Sequence, residues 1–260
     1  MLQAILYFVI IVGANIVGAI SGMGGGVIIK PMLDFMGYDS VATISFYATV
    51  AVFMMALVST VRQMQSGQQF NWMQIGWLAA GSVVGGYLGN SVFEWWLQVF
   101  PSHDYVTLVQ IGLTVLFMLF AWSYAKFDLP SFQLEWLWSY ALCGVFLGFF
   151  ASLLGIGGGP INVALLMLCF SMPIKESTIY SVCIIFCSQL AKILVILLTI
   201  DLARYPLAML AVIIPAGCIG GLLGAWFSVR MNQNQVKVVF EWVIFGVILL
   251  NLYNGWQLLN

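Results

Sequence analysis

A lysine, an amide three residues before it and two clusters of glycine are the groups whose types and spacing give this chain chemistry. Lys192 lies inside the apolar run from Ser177 to Ile200, where a lone cation is costly and marks a functional site by default. Gln189 stands three residues earlier on nearly the same helix face. The cluster Gly22-Met23-Gly24-Gly25-Gly26 sits within an apolar N-terminal stretch and returns 133 positions later as Gly155-Ile156-Gly157-Gly158-Gly159. Such clusters break a helix, and a helix restarting after one offers uncovered N–H groups and its positive dipole end to an anion. Close helix packing by small residues is the competing reading of one cluster. Two clusters in matching places favour discontinuous helices around a transport site.

The expected chemistry is therefore binding of a small anion, with each donor to a charged oxygen contributing about 1.5–3 kcal/mol net. The candidate substrate-binding residues are Ser21, Gly24, Gly25, Gly26, Thr43, Gly157, Gly158, Gly159, Asn162, Thr178, Gln189 and Lys192. Lys192 has a competing use in snorkelling toward Asp201, and the amides and hydroxyls have one in bonding neighbouring helices. Lys30, one turn past the first cluster, adds charge to the site, reaches an interface or pairs with Asp34. Asp34, Asp39, Glu176 and Asp201 fall near segment ends, so no mid-membrane carboxylate relay is expected. Neither a catalytic residue nor a metal site nor a cofactor is expected, because the only histidine, His103, is in a polar loop and no nucleophile has an activating partner. The five cysteines, Cys143, Cys169, Cys183, Cys187 and Cys218, all lie in apolar segments as small hydrophobes. Cys183 and Cys187, four apart, keep a sulfur relay as an alternative.

The elements that must hold these groups are membrane helices. With 63% hydrophobic and 7% charged residues, the composition excludes a soluble globule, and a net charge of −1 offers no basic face to nucleic acid. The first segment, Leu2 to Ser21, lacks the basic start of a signal peptide and is expected to be retained. After the first cluster, Val27 to Met36 is too short to span and reads as a half helix or the return arm of a re-entrant hairpin. Full-length segments follow at Val41 to Val61, Asn71 to Ser91 and Tyr105 to Ala125. The series then repeats as Trp136 to Leu154, Ile161 to Phe170, Ser177 to Ile200, Pro206 to Val229 and Val236 to Tyr253. Ala42-Thr43-Ile44 parallels Ser177-Thr178-Ile179, and Gly85-Gly86-Tyr87-Leu88-Gly89 parallels Gly220-Gly221-Leu222-Leu223-Gly224.

The chain thus reads as an all-α polytopic membrane protein of two repeats, residues 1–125 and 134–260, joined by a loop at 126–133. Each repeat has a glycine-broken or re-entrant first helix followed by three transmembrane helices. With hairpins, one side collects Arg62, Lys126, Lys175, Arg230 and Lys237 against Arg204 and Lys30 on the other. With plain crossings the split is four against three. The stronger bias favours inverted repeats with both termini outside.

The residues Gly18-Ala19-Ile20-Ser21-Gly22-Met23-Gly24-Gly25-Gly26 with Pro31, and Gly148 through Leu154 to Gly159, resemble the sulfite exporter TauE/SafE family. Pro215-Ala216-Gly217-Cys218-Ile219-Gly220 also resembles that family's Pro-Gly-x-x-x-Gly pattern, with Ala216 where a glycine is often found. The resemblance implies an inner-membrane permease that moves sulfite, sulfonates such as sulfoacetate, or related anions, and the charge bias then puts both termini on the periplasmic side. Pro31 has Ala164 at its repeat position and Pro160 has Val27, so equivalence of the two half-sites is not expected. The resulting expectation is a secondary transporter working by alternating access at a midplane site, with an anion channel as the alternative within transport. Its partners are a small anion, membrane lipid and, as an oligomer to be tested, a second copy of the chain.

Overall fold

The computed structural model describes residues 2–65, 71–127, 130–156, 158–199 and 205–259. The expectations that fall on Gly157, Asp201 and Arg204 lie outside the described residues. Ten helices carry the described chain: α1 (Leu2–Ser21), α2 (Gly26–Met36), α3 (Val41–Gln65), α4 (Trp72–Val99), α5 (His103–Phe127), α6 (Leu137–Leu154), α7 (Pro160–Phe170), α8 (Ile174–Thr199), α9 (Leu210–Arg230) and α10 (Gln233–Leu259). Seven of them are long and apolar enough to cross a membrane. The glycine-rich α4 is not among those seven but is 28 residues long and lies along α6, with Gly81 against Ala141, Gly85 against Val145 and Gly89 against Phe149.

Both glycine clusters turn the chain back on itself. Asp39, just past α2, accepts hydrogen bonds from Tyr7 (2.6 Å) and Gln3 (3.2 Å) near the start of α1. In the second half, Phe132 and Leu134 donate their backbone N–H groups to Leu168 and Cys169 at the end of α7 (both 2.8 Å), and Tyr140 of α6 stacks on Phe170. α1–α2 and α6–α7 are therefore helical hairpins, each bringing the chain back alongside the start of its first helix. At 11 residues each, α2 and α7 reach only about half way across at 1.5 Å per residue.

The described ends of the chain share one side of the bundle. Asp39, Asp104 at the start of α5, and Gln257 and Leu258 near the end of α10 line one pocket there. Arg62 and Arg230 line a hollow on the opposite side, where Lys175 also donates to the carbonyls of Val229 and Met231. Trp122 of α5 meets Glu241 and Trp242 of α10, which brings Lys126 and Lys237 to that same side.

The glycines show how the halves interlock. Gly85 and Gly89 of α4 abut the backbone of Val145 and Phe149 on α6, while Gly220 and Gly224 of α9 abut Val12 and Ile16 on α1. Each half thus packs its glycine helix on the first helix of the other. In the same way Gly155 meets Ser45 of α3, and Gly22 meets Thr178 of α8. This pairing corrects a register expectation: Thr178 occupies the place of Ser45, not of Thr43, because α3 and α8 keep the 133-residue separation of the two glycine clusters, whereas Thr43 and Thr178 are 135 apart. A second difference is at α4, which runs to Val99 where the sequence reading ended the segment at Ser91. Glu94, Leu97 and Gln98 are good helix formers, and no glycine or proline stops them.

Candidate functional site

Among the described residues, buried charge is concentrated at one place, the C-terminal end of α6 where it meets the second glycine cluster. A helix leaves its last carbonyls without intrahelical partners and carries a partial negative charge there. Side chains from three other helices take up these carbonyls. Lys192 of α8 donates to Ser152 O (3.1 Å), Gln110 of α5 donates to Leu153 O (2.7 Å), and Lys30 of α2 donates to Leu154 O (2.9 Å). Lys30 also donates to Gln110 Oε1, and Lys192 to Ser45 Oγ (3.0 Å). The Lys192 ammonium lies 5.2 Å from the centre of the Phe93 ring, a cation–π contact. Lys30 and Lys192 are 3% and 1% exposed, so both charges are inside the protein and do not snorkel.

Gly155 makes this convergence sterically feasible. It ends α6 in the left-handed conformation (φ 66°), and a Cβ there would press on Ser45 Oγ and come within 3.7 Å of the Lys30 ammonium. The two breaks also touch each other: a side chain on Gly26 would run into the carbonyl of Ile156, and Gly159 lies against Val27. The half-helix starts are thus packed together at the middle of the bundle.

The other expected residues fall around this junction in different ways. Ser21 spends its hydroxyl on Val17 O of its own helix (2.8 Å), Thr178 on Lys175 O (2.7 Å), and Thr43 shares a hydrogen bond with Ser40 (3.0 Å) at the start of α3. Gly24 donates to Gly18 O, and Gly25 packs against Asn15. Asn162, on the first turn of α7, is fully buried beside Gly158, and neither its amide nitrogen nor its oxygen has a partner. Gln189 is also fully buried; its nitrogen reaches only Ser188 Oγ (3.5 Å), and its oxygen is unpartnered. Ser152 Oγ is unpartnered as well. Buried polar groups without partners are rare and call for a ligand, water or functional role.

Gln110, Ser45, Ser152 and Phe93 are absent from the sequence-derived set. A glutamine between Val109 and Ile111 in an apolar segment was the one available signal. A narrow cavity lined by Lys30, Asp34, Thr107, Gln110, Leu154 and Asn251, among others, opens beside Lys30. Cys183 and Cys187 are free thiols, and the described residues contain no cluster of His, Cys, Asp or Glu that would hold a metal.

Comparison with known proteins agrees with this architecture. The family model described as Sulfite exporter TauE/SafE matches residues 7–251. The probable membrane transporter protein YunE of Bacillus subtilis is 25% identical over 93% of this chain and 94% of its own length. Another probable membrane transporter protein, from Methanocaldococcus jannaschii, is 28% identical over 70% of this chain and 68% of its own. No solved structure matches the chain.

Proposed function

The chain belongs to the sulfite exporter TauE/SafE family of membrane transporters, and from that premise we propose that it is a permease for sulfur-containing anions such as sulfite or sulfonates including sulfoacetate. Residues 1–125 and 134–260 act as inverted repeats that rock about the junction of the two glycine breaks, in an inner membrane with the termini on the periplasmic side. The observation that carries the reading is the pair of buried ammoniums of Lys30 and Lys192 at the end of α6. Their charge is matched here by helix carbonyls, which are weaker partners than an ionised oxygen. A sulfonate or sulfite oxygen replaces those carbonyls, with Gln110, Asn162 and Gln189 as further donors.

Two lysines held ready in this way offset part of the cost of dehydrating an anion. Each donor to a charged oxygen contributes about 1.5–3 kcal/mol. Outward movement of a monoanion from a negative-inside cell gains about 2.3 kcal/mol per 100 mV, so potential alone drives export. The test is uptake of labelled sulfite and sulfoacetate into proteoliposomes under an imposed potential. Saturable, potential-driven flux supports the permease. A conductance far above carrier turnover makes it a channel, and no flux of either anion removes this substrate class.

A further inference from the structure

Beyond Lys30, the cavity continues to the side of the chain ends. Asp34 and Thr107 line both the narrow cavity beside Lys30 and a wider pocket of about 420 Å³ that opens on that side between α2, α5 and α10. Asp34 is the carboxylate at the junction of the two, one helical turn from Lys30 on α2. Lys30 gives its hydrogen bonds to Gln110 and Leu154 O, so the carboxylate acts on it through its field at the mouth of the cavity. Asn254 of α10 borders the same pocket, 5% exposed, with its nitrogen bonded to Pro31 O (2.8 Å) and its oxygen unpartnered. That unpartnered acceptor suits a protonated carboxyl, which can donate one hydrogen bond.

We propose that Asp34 is the proton site that couples anion binding to the pH on the side of the chain ends. The proposal rests on the permease reading of the same site. While Asp34 is ionised it competes with any anion for the charge of Lys30. A proton taken from water in the wider pocket forms an O–H on Asp34 and leaves the ammonium to the anion. The anion in turn cancels the positive charge that favours ionised Asp34, so proton and anion favour each other's binding by the same factor. When the anion leaves, the proton returns to water. The other charged groups are placed differently. Asp39 is held by Tyr7 and Gln3, Asp104 of α5 lines the wider pocket but not the cavity beside Lys30, and Lys192 approaches the end of α6 from α8. From α10 the pocket receives Asn254, Gln257 and Leu258, and α3 contributes Val41 and Ile44, none of which titrates. Tyr253 of α10 faces Phe35.

The experiment is calorimetry of sulfoacetate binding to the full chain in nanodiscs, in two buffers of different ionisation heat. The wild type should take up about one proton per anion, and Asp34→Asn should bind with no uptake and with affinity independent of pH. Asp104→Asn should behave as wild type. Uptake that persists in Asp34→Asn, or binding to wild type without uptake, overturns the proposal. If sulfoacetate does not bind the wild type, the substrate reading fails, and an infrared titration of the ligand-free chain decides the proposal. A protonated-carboxyl band lost in Asp34→Asn and moved to higher pH in Lys30→Met supports it; a titration unchanged in both overturns it.

Discussion

The two glycine breaks turn the chain in the same way but close the helix before them with different chemistry. At the first, the carbonyls around the end of α1 take neutral donors: Ser21 Oγ on Val17 O, Gly24 N on Gly18 O, and Ser181 Oγ on Gly22 O. At the second, the end of α6 takes two lysines and a glutamine. The places of the lysines are filled otherwise in the opposite half. By the separation of the two clusters, Ser59 stands for Lys192 and Val163 for Lys30, and both are buried. Ser59 only bonds Gly221 O and Met55 Sδ. The hairpin frame thus occurs twice, but among the described residues the buried lysines gather at one break. In this reading the first break is a hinge and packing surface, and the second is the binding end.

This asymmetry can be broken most forcefully at the lysines. Lys192→Met removes one charged donor to the anion, about 1.5–3 kcal/mol, and should raise the KM for flux by about ten- to 150-fold. Ser59→Ala, its counterpart, should leave flux close to wild type in the same proteoliposome assay. Next in size is the contact between the breaks. Gly26→Ala drives a methyl into the carbonyl of Ile156 and should destabilise by about 1–3 kcal/mol, read as a lower Tm in detergent. Gly112→Ala, with nothing within 4 Å, should leave the Tm unchanged.

A smaller effect distinguishes binding from packing. Asn162→Leu removes two buried polar atoms that have no partners, so thermal stability should hold or rise. Flux should nevertheless fall if the amide serves the anion. A drop in stability without a change in flux would return Asn162 to a packing role. Smallest of all, Cys183→Ser with Cys187→Ser should leave transport intact, since neither thiol touches the lysine cluster through any bond in the structure; loss of flux in that pair would revive a sulfur relay.

The helices and their broken partners were legible because membrane spans announce themselves by length and hydropathy, and clustered glycine announces a break. Lys192 was legible for a related reason, since one cation in an apolar run of this length stands out. Gln110 was not, because its meaning depends on Lys30 and Leu153, distant in sequence and joined to it only by the packing of α5 on the hairpins. The choice between the two ends of a helix was equally hidden. Glycine clusters direct attention to the N–H groups of α2 and α7, whereas the charges gather on the carbonyls at the end of α6. Sequence spacing cannot report which side chains from other helices reach those carbonyls. Nor did it resolve Lys30, whose alternatives of site and partnership with Asp34 are separated only by its bonds to Gln110 and Leu154.

The most direct test of the central claim is equilibrium binding of labelled sulfoacetate to the chain in nanodiscs, comparing Lys30→Met, Lys192→Met and their combination with Ser21→Ala and Ser181→Ala at the first break. Each lysine variant should bind at least about tenfold more weakly, the double variant should lose binding, and both serine variants should keep wild-type affinity. Binding that survives removal of both lysines but is lost on changing the first break would contradict that claim.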